Sequence, residues 1–313
     1  MVLVMQADDF GGPEALRAVT VEPGEPGSGR VRIRVRAAGV NPADAKLLRG
    51  LFGRGRTPVR PGSEVAGVVT AVGEGATGPA GEIRVGDEVV AFRVSGGYAE
   101  ELVVAAASVL PKPPGLDWNA AAGLLLAGTT AMHLLEATRV SAGDTVLVHG
   151  ASGAVGSLLV QLARERGARV LGTSSERSAA VVERFGAEPV RYGEGLVERV
   201  RALAPDGVDV ALDTAGTDEA LDASVALVAD RSRIATVAGF ERGAALGVLL
   251  LGGGAGADPG TALRDAARGP LLERAGRGAL EVVLGPSFPL ASAAEALALV
   301  ESGRAGGKVV LLP

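Results

Sequence analysis

The run "TVLVHGASGAVGSLLVQLARERG" (145–167) constrains the fold of this chain more than any other feature. A short apolar strand pattern breaks into glycines at 150, 153 and 156, and a helical pattern follows that Gly167 can end. The apolar residues of that helix fall on one face: Val155, Leu158, Leu159 and Leu162. Glycines permit a tight turn and a close approach of the backbone to a pyrophosphate, and a helix N-terminus offers unpaired N–H groups. The run therefore predicts a dinucleotide-binding crossover; a tight turn that binds nothing is the alternative.

The next predicted strand ends in hydroxyls and an arginine, in "RVLGTSSERS" (169–178). Sites that prefer NAD usually place an acid at such a strand end, where it binds the ribose 2′-OH. Here the expected contacts are Thr173, Ser174, Ser175 and Arg177. Because a guanidinium presents a planar fork of donors to phosphate oxygens, we predict NADPH as the cofactor. Glu176 would weaken this contact, and an ordinary solvated Arg177 is the alternative.

Strand and helix patterns alternate from about residue 119, which is typical of βαβ units and a parallel sheet. Before that point the chain is rich in Gly, Pro and short strand patterns such as "RVRIRVRAAGV" (30–40), and "PKPPGLDW" (111–118) is a boundary signal. We therefore predict an α/β fold. A doubly wound parallel sheet occupies residues 119–275, and a β-rich domain occupies 1–118, to which 276–313 return.

Composition argues against several classes of protein. The formal charge of −5 gives no electrostatic footprint for nucleic acid. No uninterrupted apolar run reaches the roughly 18 residues that span a bilayer, and the first residues lack the order of a signal peptide. We therefore expect a cytoplasmic protein without a membrane or nucleic-acid partner. The chain has no cysteine and two histidines, His133 and His149, so we expect no metal site.

The whole chain resembles the zinc-independent quinone oxidoreductase branch of the medium-chain dehydrogenase/reductase superfamily. The motifs that carry the resemblance run nearly from end to end: "AAGVNPADAKLLRG" (37–50), "PGSEVAGVVTAVG" (61–73), "VGDEVVAF" (85–92), "GGYAEE" (96–101), "LLLAGTTAMHLL" (124–135), "VLVHGASGAVGSLLVQLA" (146–163), "GVDVALDTAG" (207–216) and "GKVVLLP" (307–313). Together these motifs are specific, although any one alone is not.

The resemblance implies a GroES-like catalytic domain built from both chain ends, a Rossmann domain, and a cofactor cleft between them. It also implies a homodimer through the last Rossmann strand, here "GVLLLG" (247–252). Zinc-dependent relatives carry Cys where Asn41 stands and His where Ser63 stands. Both ligands are replaced, and the cysteine-rich structural zinc lobe is missing, so we expect no zinc alcohol chemistry.

Position by position, the resemblance implies a set of cofactor contacts. They are Gly150, Ser152, Gly153, Ala154 and Val155 for the pyrophosphate, Ser174, Ser175 and Arg177 for the adenosine phosphate, Tyr192 for the adenine, Thr214, Ala215 and Gly216 for the ribose, and Ala238, Gly239 and Phe240 for the nicotinamide.

Asn41 and Thr129 are the polar contacts that the resemblance implies at the reacting end. Many quinone reductases carry Tyr where this chain has Lys46, which leaves the pocket shape and the proton donor open. Lys46 is either a proton donor or a solvated helix residue. We expect Tyr98 to pack structurally, and Lys308 to touch phosphate or lie on the surface.

The expected function is NADPH-dependent hydride transfer to a small-molecule quinone or α,β-unsaturated carbonyl. An enoyl reductase dedicated to one pathway, such as polyketide tailoring, is a second possibility. An NADPH-binding protein without turnover is a third, because no obvious acid accompanies the missing Tyr. The sequence shows no pair of residues that could act as nucleophile and general base, so it does not support covalent catalysis.

Overall fold

The computed structural model describes residues 1–313, which divide into two compact units. The terminal unit comprises Met1–Leu126 and Gly269–Pro313, and the central unit comprises Ala127–Arg268. Both divisions fall inside helices, whereas we predicted boundaries at 118/119 and 275/276.

The strands are β1 Val2–Gln6, β2 Arg17–Val21, β3 Arg30–Gly39, β4 Glu64–Val72, β5 Thr77–Gly78, β6 Gly81–Glu82, β7 Glu88–Phe92, β8 Glu101–Ala105, β9 Val109–Pro111, β10 Thr145–His149, β11 Arg169–Ser174, β12 Glu188–Arg191, β13 Val210–Asp213, β14 Ile234–Thr236, β15 Leu249–Leu250, β16 Leu284–Pro289 and β17 Lys308–Leu312. The α-helices are α1 Pro42–Leu48, α2 Trp118–Ala137, α3 Ala154–Glu165, α4 Ala179–Arg184, α5 Leu196–Leu203, α6 Asp218–Leu227, α7 Phe240–Leu246, α8 Thr261–Gly276 and α9 Ala293–Glu301.

The terminal unit is built on a seven-stranded sheet in the order β16-β17-β3-β4-β7-β9, with β8 paired to β3. Strand β3 buries Val31, Ile33 and Val35 and turns its alternating arginines outward, which confirms the period-two pattern in its sequence. The closing strand β17 pairs antiparallel with β3 at Gly39 and Ala38, so the two ends of the chain share one sheet.

The central unit is built on a six-stranded parallel sheet in the order β12-β11-β10-β13-β14-β15. Numbered from β10, this is the doubly wound order 3-2-1-4-5-6, so the predicted α/β class is confirmed. Strand β10 is buried, and α3 buries the apolar face that its sequence pattern predicts. The order reverses beside β10, and ligands of such sheets bind at the carboxyl ends of the strands there.

Helix α2 is long and apolar enough to cross a membrane by length and mean hydropathy, a possibility that our search for uninterrupted apolar runs missed. Its most apolar 18-residue window is 72% buried inside the protein. Core helices meet the same criterion, so this helix is weak evidence for a membrane span.

Candidate functional site

The glycine turn after β10 has the geometry that the sequence predicts. Gly150 adopts φ +73°, a left-handed conformation that L side chains rarely tolerate, and its carbonyl accepts from Gly153 N at 3.0 Å. Helix α3 then begins at Ala154 with Gly153 as its N-cap. A Cβ on Gly156 would lie 2.1 Å from Gly150 O, so the helix and the turn pack backbone to backbone. The half-buried Ser152, Ala154 and Val155 complete this segment.

A chain of hydrogen bonds links the turn to both neighbouring strands. Gly150 N donates to Thr173 Oγ1 at 3.1 Å, at the end of β11. On the other side, Thr214 Oγ1 donates to His149 O at 2.7 Å. Thr173 therefore supports the turn from within the protein, since it is 3% exposed.

The chain of bonds continues across β13 and β14 through two residues that the sequence reading missed. The fully buried Asp213 accepts from Ala215 N and Gly216 N at 2.9 Å each, and from Thr236 Oγ1 at 2.6 Å. Thr236 Oγ1 in turn accepts from Gly239 N at 2.9 Å and Ala238 N at 3.1 Å. The predicted ribose and nicotinamide loops are thus tied together. An acid ending the apolar run "VDVALD" (208–213) was the available signal.

The end of β11 offers polar groups for a phosphate. Ser174 Oγ is buried without a hydrogen-bond partner, an arrangement that a bound acceptor would satisfy. Ser175 Oγ lies 2.8 Å from Ser178 Oγ, and Arg177 is exposed beside them. Arg191, opposite Ser174 in the sheet register, lies 3.7 Å from Glu176 and supplies a second cation that we did not predict.

The residues present therefore fit a dinucleotide. The turn brings backbone close to where a pyrophosphate would lie, and Ser174 Oγ is an orphaned donor at the expected phosphate position. Tyr192, predicted to lie by the adenine, is 54% exposed next to Arg191. The half-buried Phe240 begins α7, directly after the loop that Thr236 holds.

A separate buried polar cluster lies in the terminal unit, around Asn41, the N-cap of α1. Lys308 Nζ donates to Asn41 Oδ1 at 2.5 Å and to Glu64 Oε1 at 2.6 Å. Asn41 Nδ2 donates to Glu64 Oε1 at 3.1 Å, and Leu126 N donates to Glu64 Oε2 at 2.8 Å. Of the two alternatives predicted for Lys308, the surface position is wrong, because its side chain is 1% exposed and faces these partners.

Asp44 and Tyr98 form the other half of this cluster. Asp44 accepts from Asn41 N at 2.9 Å, from Tyr98 Oη at 2.9 Å and from Gly62 N at 3.1 Å. Burial raises the pKa of Asp44 to about 6, although these hydrogen bonds favour its ionised form. Burial also raises the pKa of Tyr98 well above its ordinary value, and its complete burial agrees with the packing role predicted for it.

The remaining predicted residues lie on helices. Lys46 is half-buried on α1, one turn beyond Asn41, and Thr129 is fully buried within α2. His133 Nε2 lies 3.3 Å from Asp258 Oδ2, and His149 Nε2 lies 3.0 Å from Ser224 Oγ. Burial lowers the pKa of both histidines, that of His149 to about 4. No group of three or more His, Cys, Asp or Glu side chains is arranged to hold a metal ion.

Comparison with known proteins places the chain in a family. Residues 27–114 match the alcohol dehydrogenase GroES-like domain, and residues 154–252 match the family described as zinc-binding dehydrogenase. The quinone oxidoreductase of Pseudomonas aeruginosa is 34% identical, over 97% of each chain. The quinone oxidoreductase of Rattus norvegicus is 39% identical over 66% of this chain, a match that spans 64% of the rat protein.

Solved structures agree with this placement. The mycobacterial protein Rv1454c, solved in complex with NADPH, superposes with a TM-score of 0.86 at 32% identity, with both chains covered completely. The chain belongs to the medium-chain dehydrogenase/reductase superfamily, in its quinone oxidoreductase-like branch. The GroES-like and Rossmann domains expected from the sequence are confirmed.

Proposed function

We propose that the chain is an oxidoreductase that transfers a hydride from NADPH to a quinone or an α,β-unsaturated carbonyl. The observation that carries the proposal is the glycine turn, which fits a pyrophosphate, beside the unpartnered Ser174 hydroxyl and the cations of Arg177 and Arg191. The name of the Pseudomonas relative and the NADPH bound to the mycobacterial one support the substrate class and the cofactor.

The bound cofactor would supply the hydride from its nicotinamide C4. The central unit's own residues would bind and orient it. The turn from Gly150 to Val155 holds the pyrophosphate, and the Asp213–Thr236 tie keeps the ribose and nicotinamide loops at a fixed separation. Ser174, Ser175 and Arg177 bind the 2′-phosphate, with Arg191 as a second cation.

At the substrate, an oxygen gains negative charge as the hydride arrives and must be stabilised by a donor. Asn41 is the amide donor that we propose, and Thr129 is the proposed hydroxyl. Water or Lys46 supplies the proton that completes the reduction.

We further propose that the reaction needs no zinc, despite the description of the family that residues 154–252 match. The donor set does not fit the metal: the chain has no cysteine, its two histidines bond Asp258 and Ser224, and Asn41 and Glu64 bond Lys308. Activity should persist after exhaustive treatment with a chelator. Loss of activity that zinc restores would contradict this.

One panel tests the substrate class. NADPH oxidation is followed with para-quinones, ortho-quinones, alkenals and enoyl thioesters, each compared with NADH as donor. Turnover of quinones or alkenals with NADPH is the expected result. Turnover of enoyl thioesters alone would select the pathway-specific enoyl reductase, and NADPH binding without turnover of any acceptor would select a non-catalytic protein.

A further inference from the structure

The buried ion pair of the terminal unit is a feature that the proposed function does not explain. Lys308 Nζ lies 2.6 Å from Glu64 Oε1, and both side chains are 1% exposed. Removing two charges from water is costly, and their attraction offsets the cost only where further hydrogen bonds support both groups. Here the support comes from Leu126 N on one side and from Asn41 on the other.

Two glycines make room for this pair. A Cβ on Gly39 would lie 2.6 Å from Glu64 Oε1 and 2.5 Å from Ala122 O. A Cβ on Gly123 would lie 2.6 Å from Lys308 Cγ. Neither glycine has a positive φ, so their small size rather than backbone freedom is what the site requires. The backbone of β3 and α2 is therefore shaped around the pair.

The pair acts on Asn41 from both ends of its amide. An ammonium can only donate, so it selects Oδ1, and a carboxylate can only accept, so it selects Nδ2. The amide thus has one orientation. One Nδ2 hydrogen goes to Glu64 at 3.1 Å, and the other makes only a 3.4 Å contact with Gly39 O, which is long for a hydrogen bond. Because Gly39 O is the more distant of the two acceptors, that second hydrogen is the one that a substrate oxygen would take over.

We propose that Lys308 and Glu64 are positioning residues for Asn41: together they hold its amide in one orientation, and the Lys308 ammonium polarises it. A charge-assisted bond at Oδ1 draws electron density from the amide, and hydrogen bonds in a chain strengthen one another. The N–H of Asn41 then stabilises the substrate oxygen that becomes negative after hydride transfer. Lys308 and Glu64 undergo no covalent change. This inference rests on the proposed function, in which Asn41 contacts that oxygen.

The test is the neutral double variant Lys308→Met/Glu64→Gln, which leaves no unpaired buried charge. The matched control is Lys112→Met/Glu88→Gln, which removes another lysine–glutamate pair of the terminal unit, with Nζ and Oε2 3.0 Å apart and the Lys112 side chain 4% exposed. Steady-state rates are measured with NADPH and 1,4-benzoquinone, or with trans-2-hexenal if the panel selects enones, and are expressed per NADPH-binding site.

The double variant should lower kcat and kcat/KM together by about 10- to 100-fold, because the lost interaction forms only as charge develops. The dissociation constant of NADPH should stay within twofold, and the control should keep kcat within twofold. A merely structural role would reduce the number of NADPH-binding sites without changing kcat per site. A kcat within twofold of the unaltered protein overturns the inference.

Asn41→Ala separates this inference from the proposed function. If Asn41→Ala lowers kcat and the double variant does not, the positioning role fails and the substrate contact stands. If Asn41→Ala leaves kcat unchanged, the substrate contact fails, and the inference fails with it. Should the double variant not fold, Lys308→Gln and Glu64→Gln are measured singly, and a kcat within twofold in both also overturns the inference.

Discussion

Two buried carboxylates in the terminal unit, those of Glu64 and Asp44, accept hydrogen bonds from different kinds of donor. Glu64 has a lysine ammonium at 2.6 Å, whereas Asp44 relies on neutral donors, the nearest being Asn41 N and Tyr98 Oη at 2.9 Å. Hydrogen bonds favour the carboxylate of Asp44, but burial outweighs them and raises its pKa to about 6. The titration of Asp44 should therefore be visible in stability.

Because the pKa of Asp44 is raised on folding from 3.8 to about 6, the folded protein holds this proton more tightly than the unfolded chain. The free energy of unfolding should therefore fall as the pH rises from about 4 to about 6, by about 3 kcal/mol from this group. Asp44→Asn should remove that component. Urea unfolding of both proteins from pH 4 to pH 7 measures it.

The control for this titration is Asp230→Asn. Hydrogen bonds to Ser232 lower the pKa of the exposed Asp230, so its titration lies below the window. This variant should leave the slope between pH 4 and pH 6 unchanged. A constant difference between the Asp44 variant and the unaltered protein across that window would show that Asp44 does not titrate there.

Arg177 is the residue on which cofactor choice should depend. It is exposed at the end of β11, while Glu176 lies 3.7 Å from Arg191. We expect Arg177→Ala to weaken NADPH binding by about 10- to 100-fold, or about 1.5–3 kcal/mol, and to leave NADH binding nearly unchanged. Fluorescence titration with each nucleotide measures both. Arg201→Ala, an exposed arginine of α5, is the control, and equal losses for both nucleotides would remove the 2′-phosphate assignment.

At the scale of elements, hydrogen bonds join the carboxyl ends of four neighbouring strands. Thr173, Thr214, Asp213 and Thr236 connect β11, β10, β13 and β14 in sheet order. The backbone N–H groups of the following loops donate to Thr173, Asp213 and Thr236 at these strand ends, so the loops that would surround a dinucleotide are held in place beforehand. Such preorganisation lowers the cost of ordering the site when a ligand binds.

The turn itself depends on the close approach of α3. In Gly156→Ala the new Cβ would meet Gly150 O at 2.1 Å, so the turn and helix must separate. We expect NADPH affinity to fall about tenfold or more and the free energy of unfolding to fall by about 1–3 kcal/mol. Gly269→Ala in α8 is the matched control. Its Cβ would meet nothing within 4 Å, so it should stabilise by about 0.5–1 kcal/mol. Equal changes in NADPH affinity and in the free energy of unfolding for the two variants would contradict the role of Gly156.

At the scale of the whole molecule, the exposed edge of the six-stranded sheet bears on assembly. Strand β15 pairs with β14 on one side only, and an open edge is a template for pairing with another chain. Part of that edge is already used, since Asp258 N donates to Leu250 O at 2.8 Å and Gly252 N donates to Asp258 O at 2.7 Å. The edge left for a second copy therefore centres on Leu249.

We predict a homodimer through this edge, with about twice the 31.2 kDa mass of the chain by light scattering. Leu249→Arg should shift the protein towards monomer, because it places a charge in the interface. Leu203→Arg, at a half-exposed leucine that ends α5, should leave the mass unchanged. A monomeric mass for the unaltered protein at every concentration tested would contradict the prediction.

The local elements follow from the sequence because their causes are local. The period-two pattern of β3, the apolar face of α3 and the glycines of the turn each depend on neighbouring residues, and so all three were predictable. The α/β class follows in the same way, since alternating strands and helices leave few arrangements open.

Only the tertiary structure decided which distant polar groups meet. Lys308 is 244 residues from Glu64 and 267 from Asn41, yet the pairing of β17 with β3 brings the three together in the interior. From its position near the C-terminal strand, Lys308 was expected to touch phosphate or to lie on the surface. Likewise Thr236 reaches Asp213 because β13 and β14 lie side by side. A sequence pattern records which side chains face a core, whereas the partner of a buried charge depends on strand order, which no local pattern specifies.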